Sequence, residues 1–345
     1  MQKNLIFILY DSINNSVFQS QVFQPLTKLI EKNLHKQITI VSFEDFRLKN
    51  FKPPFHPKIN FILARKLPFF GRFSFFYAQK QLEKIFKKLE YQKIIVRGPL
   101  AGFIALKTIK KLKIKTELIV QARGLCAEEF RFAIKYQNKT FLNKILQKII
   151  YKSFFKIEQF VYGNKKQNLK IESVSVALKE YLIKIFKTNS QKIYIASNDL
   201  PEQINPEQIK NWKNEIRDKL KIPQNYKIYV YSGSMKPWQC AQESIKYFKD
   251  IYEKNKNVFL LILSQNKTEF EKEIEFQKIS KNYYCVLNVK PNEVYKYLSA
   301  CNYGIIFRDK DIINWVSRPT KILEYKSVGL EIIHNNSIGY LSNTF

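Results

Sequence analysis

Short apolar runs rich in β-branched residues alternate with longer stretches of helical period along nearly the whole chain. This alternation predicts parallel sheets built from βαβ units, because a parallel strand needs a long crossover before the next can pair with it. In the first half the strand candidates are Leu5–Tyr10, Ile38–Ser42, Lys93–Val96, Glu117–Gln121 and Glu172–Val174, with helical periods at Phe76–Leu89 and Leu100–Leu112. The second half alternates more cleanly. There Lys227–Ser232, Val258–Leu263, Tyr283–Leu287, Tyr303–Phe307 and Leu330–His334 are interleaved with helices near Trp238–Lys254, Lys267–Lys281, Asn292–Ala300 and Thr320–Val328.

Between the halves, Ala196–Pro206 carries two prolines and no hydrophobic period, so the domain junction is expected there. With 345 residues the chain is long enough for two cores rather than one. The expected fold is α/β: two Rossmann-like doubly wound domains, residues 1–200 and 201–345, facing a central cleft. A cleft of that kind is a default location for a small-molecule site.

Tyr303–Ile333, YGIIFRDKDIINWVSRPTKILEYKSVGLEII, holds the densest candidate chemistry. An apolar strand leads through a polar loop to a helix opening at Pro319-Thr320-Lys321 and carrying Glu324, then to Gly329 and a second apolar run. In an open parallel sheet, ligands sit beyond the carboxyl ends of the strands, where helix N-termini aim backbone N–H groups at anions. Lys321 and Glu324 therefore stand where a phosphate and a sugar hydroxyl can be held. Tyr229–Gln239, YVYSGSMKPWQ, is a second such turn: a buried strand, then Ser-Gly-Ser, then a helix expected to start near Pro237. A tight turn with no ligand is the other reading of that segment. No Gly-x-Gly-x-x-Gly or Gly-x-x-x-x-Gly-Lys-Ser/Thr loop occurs, which removes the usual support for dinucleotide and P-loop chemistry. Asp309-Lys310-Asp311 reads as a solvated loop rather than a metal site. Gln121-Ala-Arg123-Gly124 puts a cation at a strand end, where Arg123 can meet a phosphate or pair with Glu128 or Glu129.

Charge changes the picture next. Fifty-nine Lys plus Arg against 29 Asp plus Glu give a formal +30, so anionic partners are in view: nucleic acid, an anionic membrane surface or phosphate-bearing substrates. A drift in codon usage is the bland alternative. The lysines are spread through both halves, and no nucleic-acid motif is recognisable, so nucleic acid is not an expected partner. Phe141–Ile157 carries Lys144, Lys148, Lys152 and Lys156 every four residues beside Leu142, Ile145, Leu146, Ile149 and Ile150, and Arg65–Tyr77 mixes cations with phenylalanines. Both suit a membrane surface, and both equally suit a core-facing helix with a solvated lysine face. The four cysteines are scattered and the three histidines unclustered, which argues against zinc and fits a reducing cytosol. The first residues read as a strand rather than a signal peptide, and charges break every run that could approach a membrane span.

Arg318–Ile333 is similar to the Pro-x-Lys-x-x-Glu-Tyr-x-x-x-Gly-x-x-x-Ile signature of GT-B glycosyltransferases, in particular the retaining nucleotide-sugar enzymes of glycosyltransferase family four. Tyr229–Gln239 resembles the same family's phosphate loop, with weaker echoes at Val96–Gly102, Gln121–Glu129 and Val174–Leu182. The resemblance implies an N-terminal acceptor domain and a C-terminal donor domain. By position, Glu324 would bond the nucleotide ribose, Ser317, Arg318, Thr320 and Lys321 would bind the diphosphate, and Gly233 and Ser234 would lie under the phosphates with Lys236 as charge partner. Lys321 and Arg123 are the candidate catalytic side chains.

The activity implied by the resemblance is that of a hexosyltransferase, taking sugar from a nucleotide diphosphate donor to a lipid-linked, surface-polysaccharide or lipopolysaccharide acceptor, with retention and with no metal or other cofactor. Such an enzyme would be cytoplasmic and peripheral on the inner face of the cell membrane. Three departures stand against the pattern. Val316 occupies the position, eight residues before Glu324, where the family often has a glutamate near the donor sugar. Only Lys236 answers the Arg-Lys pair that often comes after the phosphate-loop glycine, and the helices that cross back to the N-terminal domain are not expected within 201–345. A non-catalytic glycosyltransferase-like subunit and a basic nucleic-acid-binding α/β protein are the alternatives.

Overall fold

The computed structural model describes residues 3–15, 18–45, 52–67, 71–135, 141–197 and 203–341. It divides into two compact units, Met1–Asp199 and Leu200–Phe345. Part of the expected junction, residues 198–202, lies outside the described residues, as do 68–70 of the Phe-rich segment and the last four residues.

The N-terminal unit contains strands β1 (Lys3–Leu9), β2 (His35–Asp45), β3 (Ile59–Lys66), β4 (Lys93–Arg97), β5 (Glu117–Ala122), β6 (Leu169–Ser173) and β7 (Ile193–Ile195). Its helices are α1 (Gln24–Glu31), α2 (Arg72–Lys88), α3 (Gly98–Lys111), α4 (Cys126–Lys135), α5 (Phe141–Tyr162) and α6 (Val176–Phe186). The strands form one parallel sheet in the order β3-β2-β1-β4-β5-β6-β7. Two strands escaped the sequence reading, β3 and β7, and both are sheet edges. An edge strand pairs on one side only and tolerates a polar or interrupted pattern, as in the Arg65-Lys66 end of β3 and the three residues of β7.

The C-terminal unit holds α7 (Pro206–Lys219), β8 (Lys227–Ser232), α8 (Ala241–Lys254), β9 (Val258–Leu263), α9 (Lys267–Phe276), β10 (Tyr284–Leu287), α10 (Val294–Ser299), β11 (Tyr303–Ile306), α11 (Ile312–Trp315), α12 (Thr320–Ser327) and β12 (Glu331–His334). Its parallel sheet runs β10-β9-β8-β11-β12. Every residue of β9 is buried, as expected of a central strand covered on both faces. One face packs on α8 and α9 through Ile245, Phe248, Phe270 and Ile274. The other packs on α7, α10 and α12 through Ile216, Leu298, Ile322 and Tyr325.

Arg217 of α7 is buried inside this second core at 1% exposure. Its guanidinium donates to the carbonyls of Ala300, Pro223, Gln224 and Tyr226 and to Asn302 Oδ1, at 3.1–3.2 Å. Five accepted bonds satisfy all five donors of the side chain. Burial pushes its pKa below the usual arginine value.

The two units differ sharply in charge. Met1–Asp199 has 37 Lys and Arg against 13 Asp and Glu, +24, while Leu200–Phe345 has 22 against 16, +6. The lysines are therefore not evenly shared in effect: the acids of the second unit offset most of its cations. Among the described residues no helix is long and apolar enough to cross a membrane.

Candidate functional site

Both sheets reverse their winding once, the first between β1 and β4 and the second between β8 and β11. At such a switch point the two crossovers leave in opposite directions and a crevice opens beyond the strand ends. In the C-terminal unit the crevice has a defined origin. Strands β8 and β11 are in register at Tyr229 with Tyr303, Val230 with Gly304 and Tyr231 with Ile305, and there their pairing ends. The next backbone donor, Ser232 N–H, goes to the hydroxyl of Tyr325 at 3.1 Å. That hydroxyl is also 3.5 Å from the Ile305 carbonyl. A side chain from α12 thus takes over the ladder where the strands part.

Tyr325 is fully buried, and its ring lies directly on Gly304: a Cβ at 304 would stand 2.3 Å from a ring carbon. The glycine inside β11 is explained by this close approach. Burial raises the Tyr325 pKa, so it stays a neutral donor and acceptor.

One wall of the crevice is the loop after β8. Gly233 N–H continues the pairing to Leu263 O at 3.1 Å, and Ser234 N–H turns onto Gln239 Oε1 at 2.9 Å. The Tyr231 hydroxyl reaches the carbonyls of Ser234 and Gln239, and Arg308 Nη1 reaches those of Gln239 and Phe307. A Cβ on Gly233 would stand 2.5 Å from Gln239 Oε1, so any larger residue here would have to push aside the side chain that holds Ser234 N–H. The Ser234 hydroxyl is buried with no hydrogen-bond partner. Lys236 is exposed, its ammonium 5.3 Å over the Trp238 ring. The helix expected near Pro237 begins later: Pro237–Gln239 is a 3-10 turn, Cys240 adopts φ +49°, and α8 starts at Ala241.

The other wall is α12 and the loop before it. Pro319 precedes the helix and offers no side-chain cap, which leaves the first-turn N–H groups of α12 without the usual side-chain acceptor. Lys321 Nζ is 2.9 Å from Glu324 Oε2, one helical turn away, and both are only part-exposed. The Ser317 hydroxyl donates to Asn314 O at 2.7 Å, and Thr320 is exposed at the helix start. Val316 is buried at 1% exposure at the end of α11.

Asp311 caps α11 by accepting from Ile313 N–H at 3.2 Å, and Asp309 lies 3.8 Å from the Cys240 thiol. Burial, with Glu243 and Asp309 nearby, pushes that thiol up to about 11. The two aspartates are thus used by the loop itself. Among the described residues no group of three or more His, Cys, Asp or Glu is placed to hold a metal.

Arg123 belongs to the other unit, at the end of β5. Its Nη2 is 3.4 Å from Glu172 Oε1 on β6, and the same carboxylate accepts from Gln121 Nε2 at 2.8 Å and the Tyr194 hydroxyl at 3.3 Å. The neighbouring acids considered as its partners have other tasks. Glu128 accepts from Arg131 and from the Tyr151 hydroxyl, and Glu129 tucks under Gly124, where a Cβ would stand 2.0 Å from its carboxylate. Cross-strand register explains the outcome, since Gln121 and Glu172 are direct partners on adjacent strands.

Sequence reasoning passed over Tyr325, Arg308 and Gln239 as site residues. Tyr325 had a signal: a glycine within a strand marks a close approach, and the tyrosine comes directly after Glu324. Arg308 and Gln239 act through loop geometry that spacing does not reveal.

The architecture, two doubly wound units each with one switch point, is that of the GT-B glycosyltransferases. Residues 213–343, within the C-terminal unit, match the family model described as Glycosyl transferases group 1. Among solved structures, the chain is similar to WaaG, a glycosyltransferase involved in lipopolysaccharide biosynthesis, at 14% identity and a TM-score of 0.64, covering 98% of this chain and 82% of that one. It is likewise similar to sucrose-phosphate synthase from Thermosynechococcus elongatus (12% identity, TM-score 0.62, 99% and 83% covered). A third is Anabaena HepE in complex with UDP-glucose (9% identity, TM-score 0.61, 98% and 82% covered). No curated protein matches by sequence.

Proposed function

We propose that the protein transfers a hexose or related sugar from a nucleotide diphosphate donor to a lipid-linked or surface-polysaccharide acceptor, with retention of anomeric configuration and without a metal ion. The observation that carries this reading is the Ser232–Tyr325 hydrogen bond, which fixes the α12 residues Lys321 and Glu324 beside the Gly233–Ser234 strand end. On donor binding Glu324 leaves Lys321 for the ribose hydroxyls, and Lys321 turns to the diphosphate. The open first-turn N–H groups of α12, with Ser317, Arg318 and Thr320, hold the phosphate oxygens; Ser234 supplies its unspent hydroxyl, and Lys236 a second cation at the rim.

The chemistry needs this distribution. As the sugar–phosphate bond breaks, negative charge collects on the leaving diphosphate, and fixed N–H dipoles plus a cation stabilise it without reorganisation. Arg123, oriented by Glu172, serves the acceptor side in the N-terminal unit. The protein works at the cytoplasmic face of a membrane.

A panel of uridine, guanosine and adenosine diphosphate sugars at millimolar concentration tests the donor. A bound donor raises the melting temperature by linkage, and uridine donors lead the panel because HepE is seen with UDP and UDP-glucose. Slow donor hydrolysis without acceptor, abolished in Glu324→Ala, marks a catalyst. A melting shift with no hydrolysis marks the non-catalytic subunit instead, and no shift with any donor overturns the reading.

A further inference from the structure

The pairing of β11 with β12 ends at Ile306 opposite His334. Just beyond it a side chain continues the ladder. Asn335 Oδ1 accepts the Arg308 N–H at 3.3 Å, and its Nδ2 donates to the Arg308 carbonyl at 2.8 Å. A carboxamide carries an acceptor and a donor in one plane, as a peptide unit does, so it can stand in for a strand residue. Its orientation is set by the main chain: a backbone N–H only donates and a carbonyl only accepts, so Arg308 decides which end of the amide faces which group. Ser337 Oγ adds a third bond, donating to the same Oδ1 at 2.6 Å. Tyr325 does the like between β8 and β11, so β11 is joined past its end to the strand on either side.

The Asn335 contact reaches both walls of the crevice. With its main chain held, Arg308 sends Nη1 to the Gln239 carbonyl at 3.4 Å, and Gln239 Oε1 takes the Ser234 N–H at 2.9 Å. On the other side, the Asp309 carbonyl accepts from Asn314 Nδ2 at 2.8 Å, and the Asn314 carbonyl accepts from the Ser317 hydroxyl at 2.7 Å. Bonded contacts thus run from Asn335 to Ser234 in one direction and to Ser317 in the other.

The chain after Asn335 is itself anchored. Asn336 turns it at φ +54°, a conformation that asparagine adopts more readily than most residues. Ser337 and Ile338 are buried, and Gly339 N–H donates to the Trp315 carbonyl at the end of α11, at 2.9 Å. The loop between β11 and α12 is therefore tied to residues 335–339 at two points, Arg308 and Trp315. Ser317 and Arg318 follow the second tie directly.

We infer that Asn335 is a positioning residue, holding the Gly233–Ser234 loop and the Ser317–Arg318 loop in the arrangement that takes the diphosphate of a nucleotide. It acts through Arg308 and touches no phosphate itself. The inference rests on the proposed donor site for the identity of the ligand, whereas the brace between the loops is read without one.

Calorimetry with UDP beside UMP, repeated for GDP with GMP and ADP with AMP, is combined with amide hydrogen exchange of the free protein. Asn335→Ala should weaken the diphosphate about tenfold, near the worth of one hydrogen bond, and the monophosphate less than about threefold, because it engages fewer of the groups that Asn335 positions. A residue that merely holds the fold would weaken both alike. In the free variant the Ser234 and Asp309 amides should exchange faster, although Asn335 bonds to neither, while Leu261 in β9 keeps its rate. Ser337→Ala keeps both bonds to Arg308 and removes the hydroxyl that steadies them. It should shift diphosphate affinity the same way by about threefold, and it carries the comparison if Asn335→Ala does not fold. Equal weakening of diphosphate and monophosphate, unchanged diphosphate affinity, or a Ser234 amide at its wild-type rate overturns the inference. Wild-type protein that binds no diphosphate sinks the donor reading, and exchange at Ser234 and Asp309 then decides the brace alone.

Discussion

The two units share a winding but handle charge in opposite ways. The N-terminal unit turns four glutamates inward and leaves cations and large apolar side chains outside, whereas the C-terminal unit buries one arginine and covers nearly all its large hydrophobics. A buried charge is tolerable only where hydrogen bonds replace its hydration. Arg217 meets that condition through main-chain carbonyls, so its charge serves architecture. The glutamates meet it unevenly: Glu44 accepts Ser12 and Ile13 N–H, Glu172 accepts three side chains, and Glu158 keeps one oxygen without a partner. One unit covers nearly all of its large apolar side chains within its own fold, and the other leaves more of them exposed beside a larger excess of cations.

The strongest way to break this contrast is Arg217→Met. It strands carbonyls of four residues in the core, at roughly 1–3 kcal/mol for each left without a donor, so the C-terminal unit should lose about 3 kcal/mol or more in urea unfolding. A loss below about 1 kcal/mol would mean the arginine is dispensable there.

The buried acids give the second test. Burial raises Glu158 to about 8, well above its unfolded value. A raised folded pKa means the folded state holds a proton that the unfolded chain releases, so the contribution is complete at low pH and fades as pH climbs from about 4.5 through about 8. The N-terminal unit should therefore weaken by a few kcal/mol over that window, and Glu158→Gln should flatten the profile. A profile that rises with pH would count against a protonated Glu158.

Smaller effects sharpen the site. Tyr325→Phe leaves the buried Ser232 N–H without its acceptor and should cost roughly 1–2 kcal/mol, together with weaker donor binding in calorimetry. Stability lost with donor affinity unchanged would separate the strand-end contact from the site. Gly329, at φ +77°, closes α12 in a Schellman arrangement, with Leu330 N–H on Tyr325 O and Gly329 N–H on Lys326 O. Gly329→Ala should cost about 1 kcal/mol by forcing a side chain into the left-handed region. No change in melting temperature would show that this cap is relaxed in solution.

Legibility tracked burial. Central strands such as Lys227–Ser232 and Val258–Leu263 appear in the sequence with the bounds they have in the structure, because covering on both faces forces an unbroken apolar run. Edge strands β3 and β7 carry no such constraint and were missed, whereas the edge strands β10 and β12 keep short apolar runs and were read. In the candidate site, Lys321, Glu324 and Gly233 stood out by their positions at strand and helix ends, and the start of α12 at Thr320 was legible for the same reason, whereas the start of α8, displaced by the 3-10 turn at Pro237–Gln239, was not. The partner of Arg123 was not, since pairing with Glu172 depends on strand register across 49 residues of chain. Arg308 and Gln239 were missed because their work is done on main-chain carbonyls, which leave no trace in side-chain spacing.

The bond from Ser232 to Tyr325 also has a use as a clock. A strand amide normally exchanges with solvent deuterium only when its strand separates, but this one is guarded by a helix side chain, so its exchange reports each lifting of α12 from the end of β8. A single named amide thereby times the opening of the crevice in the unmodified protein.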